Sequence, residues 1–370
     1  MNSTLRNNVN VFYRTKDNKK EDITKFISPD LISFAYTDKT SKEVDEVVIK
    51  LKDEEGKWRG AWIPKKGDQL TIIISSENHG TLFCGEFNVD TIQAGGPPHT
   101  LTIKALAVPF GTKFRRTKKN KAWEGVTLQE IAAAICSDSA ISLQYNTDIN
   151  PYFERKDQKG ESDSLFLERL CSESGLESKL GTKKFFIFAK KDKEQKDSIK
   201  TISLSPSSLL GLGSVLSWEL STQISDTAKE VKVSYFDPIS SEVYSAVASS
   251  ASENVELGHS YSIIKRVESA EEAKRIAEAE LSRHNKLKIK GTVTVIGDVS
   301  LFAGENIQLS GFGWFDGKYL IDASVHSMPP YTTKLELINI EAASDYLKEK
   351  EEKAARKAKR EEKKRKKRKS

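Results

Sequence analysis

Histidines are the first side chains of this chain that could do chemistry, because they bind metals and transfer protons near neutral pH. The chain has five: His79, His99, His259, His284 and His326. They are far apart, none belongs to an HExxH motif, and no Cys or Asp stands beside them at the spacing of zinc ligands. The sequence therefore predicts no metal and no cofactor. His326 ends an apolar stretch, and we interpret it as a structural or interface residue.

Carboxylates are the second possible source of chemistry. A cell-wall hydrolase needs two acidic side chains a few ångströms apart on a cleft. The chain has 53 Asp and Glu, but many lie in helical stretches such as SAEEAKRIAEAE (269–280), where a solvated helix face accounts for them. We predict that the chain is not an enzyme and keep a cell-wall hydrolase as the alternative.

A basic segment ends the chain. Residues 353–370 hold twelve Lys or Arg and two Glu. The candidate contacts to a polyanion or an acidic partner are Lys353, Arg356, Lys357, Lys359, Arg360, Lys363, Lys364, Arg365, Lys366, Lys367, Arg368 and Lys369. DNA or an acidic protein could be the partner, and a solvated appendage without a partner is the alternative. The segment has almost no apolar residue after Leu347, so we predict a basic helical or disordered tail over 346–370.

Net charge divides unevenly along the chain. The whole chain carries +6 and residues 353–370 carry +10, so residues 1–352 carry −4. The body thus has no basic stripe of its own, and nucleic-acid binding would depend on the C-terminal segment alone. A polyanion-binding protein acting through this segment is a further alternative.

Cysteines and apolar runs bear on where the protein is made. The three cysteines, Cys84, Cys136 and Cys171, are odd in number and widely spaced, which argues against a disulfide framework. The N-terminal residues contain no apolar run typical of a signal peptide, and no run of 18 apolar residues occurs. We expect synthesis in the cytoplasm and no membrane-spanning segment.

Apolar periodicity predicts the elements that must carry these side chains. Short alternating runs such as QLTIIIS and GEFNVDTI predict antiparallel strands over 1–108 and again over 200–345. Between them, residues 109–199 predict an α+β module, with Thr127 and Glu130 as a capping box and Ser162 or Asp163 as a second cap. A further helix is predicted at about 269–285, capped by Ser269. The predicted fold class is mainly β with an α+β insertion.

An internal repeat connects the two β regions. Residues 65–105 align with residues 302–342, with one length change in the hairpin between the first two strands. The aligned pairs are Gly67/Gly304, Asp68/Glu305, Leu70/Ile307, Ile72/Leu309, Gly85/Gly317, Phe87/Tyr319, Val89/Ile321, Asp90/Asp322, Pro97/Pro329 and Pro98/Pro330. A Pro-Pro pair cannot donate ladder hydrogen bonds, so it marks a strand boundary in both copies. Any two hairpins share turn glycines, which is the alternative explanation. A duplicated domain would let three chains present six similar domains around one axis.

Two segments resemble a known family. Residues 159–188, KGESDSLFLERLCSESGLESKLGTKKFFIF, resemble the middle of the phage late control protein D family. Residues 295–328, VIGDVSLFAGENIQLSGFGWFDGKYLIDASVHSM, resemble its closing barrel. With the repeat, the resemblance covers about residues 9–342. Members of this family are central hubs of contractile tails and are related to the first half of type VI secretion spike proteins.

The resemblance implies an architecture and a set of partners. It implies two tube-like antiparallel β-barrel domains, over 1–108 and 200–345, flanking the α+β module. It implies a homotrimer whose barrels form a pseudo-sixfold ring between a hexameric tail tube and a trimeric spike, in the baseplate of a phage, a tailocin or another contractile injection system. No spike-like domain follows, so the spike is expected to be a separate chain. The basic C-terminal segment departs from the family pattern. In a particle assembled in the cytoplasm of a host bacterium, its partner could be genomic DNA in the channel, a tape-measure protein or another baseplate component.

Overall fold

The computed structural model describes most of the chain up to residue 340. The described ranges are 7–15, 20–40, 43–65, 68–77, 80–107, 113–181, 183–189, 192–193, 195–204, 214–222, 228–237, 242–249, 259–264, 267, 270–285 and 289–340. Among them, no helix has the length and apolarity that crossing a membrane requires.

The N-terminal region consists of seven strands and one short helix. They are β1 (Asn7–Arg14), β2 (Lys20–Asp22), α1 (Thr24–Ile27), β3 (Leu31–Lys39), β4 (Glu46–Lys52), β5 (Gln69–Ser76), β6 (Gly80–Gly95) and β7 (Thr100–Leu106). The alternation of apolar residues places Ile72, Ile74 and Phe87 in one core and leaves polar neighbours outside. The predicted β character of this region is confirmed.

The middle module mixes helices and strands around its own core. Its elements are α2 (Lys113–Arg116), β8 (Lys118–Thr127), α3 (Leu128–Asp138), β9 (Ser142–Asn146), β10 (Tyr152–Ser162), α4 (Asp163–Glu173), β11 (Leu176–Leu180) and β12 (Lys184–Ala189). The capping box of Thr127 and Glu130 is confirmed at the start of α3, and Ser162 caps α4. Ile131 and Ile135 of α3 and Leu167 and Leu170 of α4 share one core with Ile187 of β12.

The C-terminal region adds nine strands and one long helix. These are β13 (Ser198–Ser203), β14 (Val215–Thr222), β15 (Ala228–Asp237), β16 (Glu242–Ser249), β17 (His259–Ile264), α5 (Ala270–Asn285), β18 (Ile289–Ile296), β19 (Asn306–Ser310), β20 (Gly317–Met328) and β21 (Thr332–Asn339). The predicted helix is confirmed as α5, whereas its predicted cap, Ser269, lies outside the described residues.

Strands β15, β16 and β17 form a separate small sheet, which sequence reasoning had assigned to the second barrel. Their order is β16-β15-β17, and α5 covers one face. Ala273 and Ile276 of α5 share a core with Val231 and Val233 of β15. Because α5 covers the apolar face of these strands, burial of that face does not require the main sheet.

A single 13-stranded sheet contains described strands from both of the regions for which two tube-like barrels are expected. The order is β14-β18-β21-β20-β3-β4-β7-β6-β5-β1-β2, with β19 paired to β20 and β13 paired to β19. Among the described strands neither half closes into a barrel, and β20 of the second half hydrogen-bonds to β3 of the first. The β13–β19 pair is parallel, unlike the antiparallel pairing expected.

The sequence repeat is a structural repeat with matching register. Leu70 faces Phe87 across β5 and β6, and Ile307 faces Tyr319 across β19 and β20. Two glycines with positive φ follow at the same place, Gly85 opposite Ile72 and Gly317 opposite Leu309. In each copy the ladder then has a bulge, at Asp90 and at Asp322. Gly67, the partner of Gly304 in the alignment, lies outside the described residues.

The repeat also extends two strands further than the sequence alignment. β4 pairs with β7 as β18 pairs with β21, and β3 pairs with β4 as β14 pairs with β18. The β3 ladder is irregular between Leu31 and Ser33, and the β14 ladder is irregular between Val215 and Ser217. We call β3 to β7 repeat A, and β14 with β18 to β21 repeat B. Both have the same five-strand order in the sheet.

Candidate assembly interface

The two repeats meet where the second half of β20 pairs with β3. The pairs run from Ala323 opposite Lys39 to Met328 opposite Phe34, in antiparallel order. We call these twelve residues the inter-repeat junction. The first half of β20 pairs with β19, so this one long strand joins the two repeats. The junction is thus an interface between two copies of one domain design within one chain.

On its core-facing side, the junction consists of buried side chains that pack against one another. Phe34 and Tyr36 of β3 are buried opposite Met328 and His326 of β20. Tyr36 and His326 stack with their ring centroids 6.0 Å apart. Met328 and Tyr331 belong to the hydrophobic core of repeat A although their chain segment belongs to repeat B. Burying a side chain such as Met328 contributes about 2 kcal/mol.

His326 is held in a buried hydrogen-bond network at this junction. Its Nε2 lies 3.1 Å from the carbonyl oxygen of Leu301, and its Nδ1 lies 3.0 Å from the hydroxyl of Tyr331 and 3.3 Å from that of Thr333. Because a carbonyl can only accept, the proton is assigned to Nε2, and Tyr331 donates to Nδ1. Burial lowers the pKa of His326 to about 4, despite the opposing effect of the Leu301 carbonyl and the charges of Asp38 and Asp298. The ring is therefore neutral at pH 7.

An ion cluster joins the middle module to the same strand. The Lys179 ammonium lies 2.8 Å from Asp38 and 3.0 Å from Asp45, and all three side chains are largely buried. The other oxygen of Asp38 accepts a hydrogen bond of 2.9 Å from the backbone N–H of Ala303 in repeat B. Asp38 therefore connects repeat A, the middle module and repeat B at one point.

Burial and charge act against each other in this cluster. Burial raises the pKa of Asp45, Lys179 lowers it, and the neighbouring Asp38 raises it again, with a net increase. Burial lowers the pKa of Lys179, but the two carboxylates raise it more, so the lysine stays charged. One ammonium between two carboxylates compensates the charge that burial would otherwise penalise.

The residues singled out from the sequence are distributed unevenly in the structure. Lys353 and the other eleven basic candidates all lie in 341–370, outside the described residues. Among the described residues, no cluster of three or more His, Cys, Asp or Glu could hold a metal ion. His326 lies at the contact between the repeats. The three cysteines are buried and unpaired.

Sequence reasoning missed the ion cluster. The signal for Asp38 was present, because Phe34, Tyr36 and Asp38 alternate on β3 and the first two are plainly core residues. A carboxylate at the third position of such a row predicts a buried charge that needs a cation. Nothing local identifies Lys179 as that cation, since it lies 141 residues away.

The fold and the junction define a class: an internally duplicated, mainly β protein whose two repeats share one sheet. The family model "Phage tail baseplate hub (GPD)" matches residues 82–329. The chain belongs to the phage tail baseplate hub family, which confirms the resemblance found in the sequence. A probable baseplate hub protein of Escherichia phage 186 is 31% identical over 156 residues, 42% of this chain and 39% of that protein. The chain thus matches less than half the length of this curated relative.

Solved structures share the fold at low sequence identity. A tail protein from Neisseria meningitidis MC58 aligns with a TM-score of 0.67 and 11% identity, over 90% of this chain and 97% of that one. An Escherichia coli component of the type VI secretion system aligns with a TM-score of 0.50 and 13% identity, over 85% and 74%. The expected architectural likeness to type VI secretion proteins is present.

Removing the cation of the ion cluster tests its structural importance. We expect Lys179→Ala to lower the free energy of unfolding by about 2–4 kcal/mol, because two buried carboxylates lose their shared counter-ion. Urea denaturation measures this. Lys183→Ala is the matched control, since its pair with Glu86 also joins the middle module to repeat A but is more exposed. The control should change stability by less than about 1 kcal/mol. Equal losses in both variants would contradict a special contribution of the cluster.

The buried ring of His326 predicts a pH dependence. Its pKa in the folded state lies below the ordinary value of 6.5, so the unfolded chain binds the proton more readily. The stability of the native protein relative to a His326→Gln variant should therefore fall as the pH drops from 6.5 to 4, by up to roughly 3 kcal/mol. Urea denaturation at pH 7, 5.5 and 4.5 measures the difference between the two proteins, in which the titration of Asp45 cancels. A stability difference between the two proteins that stays the same at all three pH values would mean that the folded protein accommodates the protonated ring.

Proposed function

We propose that this chain is the structural hub of a phage or phage-tail-like baseplate and acts as a homotrimer. Family membership supports the hub role, and the internal duplication supports the trimer. The observation that carries the proposal is the inter-repeat junction, where two repeats of one five-strand order continue into a single sheet. Three chains of this kind present six equivalent repeats, which match a sixfold partner on one side while the chains themselves keep threefold symmetry.

The proposed partners follow from this symmetry. A hexameric tail tube fits the six repeats, and a trimeric spike fits the three chains. The Escherichia coli neighbour is described as a type VI secretion component with structural similarity to bacteriophage T4 tail proteins, which supports a role in the same kind of machine. The hub would be made and assembled in the cytoplasm of the host bacterium and then belong to the particle.

We propose a role without catalysis. Burial lowers the pKa of His326, and both of its ring nitrogens face hydrogen-bond partners inside the protein. Lys179 holds Asp38 and Asp45 in an ion cluster. Burial also raises the pKa of the Cys136 thiol to about 11, so it is protonated at pH 7. These groups stabilise the fold. A peptidoglycan-cleavage assay of the purified chain tests the hydrolase alternative, and clear lysis zones would support it.

Assembly state tests the hub proposal directly. We expect native mass spectrometry to give the mass of three chains, either for the protein alone or for its complex with its spike protein. The physical reason is that three copies of a duplicated repeat are needed to make six. A dimer or a hexamer of this chain in the complex would rule out the proposed hub.

The basic C-terminal segment is proposed to bind a polyanion or an acidic partner. Ten net positive charges on a segment with few apolar residues act mainly through electrostatics. Deletion of residues 346–370 should abolish DNA binding in a filter or anisotropy assay and leave the oligomer intact. Affinity of the full chain should fall on the order of a thousandfold between 50 and 200 mM salt for about six phosphate contacts. A variant with the twelve basic residues changed to Gln keeps the length and should behave like the deletion. DNA binding that persists in both variants would contradict this proposal.

A further inference from the structure

Two strand edges of this chain lack a partner among the described strands. β14 ends the order of the large sheet and pairs only with β18. The second half of β6, from Thr91 to Gly95, pairs with β7 on one side, while β5 reaches only as far as Asn88 on the other. Open edges offer unpaired N–H and C=O groups and are normally covered in native proteins.

These two edges occupy equivalent positions in the two repeats. β14 of repeat B corresponds to β3 of repeat A, and residues 91–96 of repeat A correspond to residues 323–328 of repeat B. Their counterparts, β3 and residues 323–328, are the two strands that pair in the inter-repeat junction. Each repeat therefore has both of the strand edges that pair in the inter-repeat junction. Within a single chain this pairing forms only once.

Burial differs between the joined and the open copies of the edge. Phe34 and Tyr36 on β3 are 1% and 5% exposed, whereas Trp218, the counterpart of Phe34, is 42% exposed. Residues 323–328 are mostly buried, whereas 91–96 are exposed except for the half-buried Ile92. The open edges thus expose side chains at the positions that the junction buries.

The side chains of the two open edges complement each other in the register of the junction. On the core-facing side this register sets Trp218 opposite Gly96, Leu220 opposite Ala94 and Thr222 opposite Ile92. A large side chain faces a small one at two of the three positions, which allows close packing. On the outer side it sets Ser221 opposite Gln93 and Glu219 opposite Gly95, so polar groups remain in water. A shift of one residue would exchange the two faces.

We propose that β14 of one chain pairs antiparallel with residues 91–96 of a second copy of the same chain, in the register of the inter-repeat junction. The contact is head-to-tail, because the two edges differ, and such contacts close into a ring when the rotation allows it. This inference supplies the residues of the contact, whereas the number of chains in the ring rests on the proposed function. In a ring of three chains, three junctions within chains alternate with three between chains, and every repeat makes the same two contacts.

Engineered cysteine pairs test the register. Residues directly opposite in an antiparallel pair have Cα atoms about 4.5–5.5 Å apart, within disulfide range, whereas diagonal neighbours are about 7–8 Å apart. We would combine Gln93→Cys with Ser221→Cys, and separately Ala94→Cys with Leu220→Cys. Successive positions alternate between narrow and wide pairs, so one of the two combinations has the closer geometry. Gln93→Cys with Glu219→Cys is the matched control, displaced by two residues on the same face.

Mild oxidation and non-reducing gels give the readout. We expect covalent dimers and trimers from at least one opposite pair, monomers from each single variant, and at least tenfold less cross-linking from the displaced pair. The native cysteines Cys84, Cys136 and Cys171 are buried, which keeps the background low. No cross-linking from either opposite pair, or equal cross-linking from the displaced pair, would overturn the inference.

Two further measurements separate this inference from the hub proposal and from folding defects. A trimeric mass without cross-links from the opposite pairs refutes the proposed contact alone. A dimeric or hexameric mass with those cross-links keeps the contact and refutes the trimeric hub. In the unmodified protein, hydrogen exchange of the amides in 91–95 and 216–222 should slow by at least tenfold on assembly. Unchanged exchange in the assembled protein would overturn the contact without any substitution.

Discussion

Hydrogen bonding between β20 and β3 is the constraint on which the rest of this structure depends. It makes one sheet of two repeats that are separated by the whole middle module, and it places Met328 and Tyr331 of repeat B inside the core of repeat A. The register tolerates no slip, because moving β20 by one residue would turn its buried side chains to the opposite face. The middle module, β14 and the small sheet with α5 all lie between β3 and β20 in the order of the chain.

The junction buries the polar side chains of His326 and Asp38, and both have partners. His326 is neutral and hydrogen-bonded at both ring nitrogens, whereas Asp38 and Asp45 share the ammonium group of Lys179. Burial lowers the pKa of the histidine and raises that of Asp45. As the pH falls below neutral, the first effect weakens the folded state and the second strengthens it. The two contributions partly offset each other, which limits the dependence of the folded-state stability on pH.

Differences between the repeats are as informative as their likeness. Between β4 and β5, repeat A has a loop that buries Trp58 and exposes Trp62, whereas the corresponding connection of repeat B is shorter. Repeat B in turn carries the small sheet and α5 between β14 and β18. In the proposed trimer, shared features occur six times around the axis and these unshared ones three times. A sixfold partner would therefore contact what the repeats share, and a threefold partner what distinguishes them.

The sequence by itself determined the local and periodic features. Alternation predicted the strands, Thr127 with Glu130 predicted the start of α3, and the spacing of Gly85 and Gly317 around matching apolar residues revealed the repeat. Such features depend on neighbours within a few residues, so they are visible in the sequence. The separate sheet of β15 to β17 and the parallel pairing of β13 with β19 could not be read from alternation. Only the tertiary structure decided that β20 pairs with β3 and that Lys179 neutralises Asp38. The physical reason is that an open strand edge or a buried carboxylate requires a partner but does not specify where along the chain that partner lies.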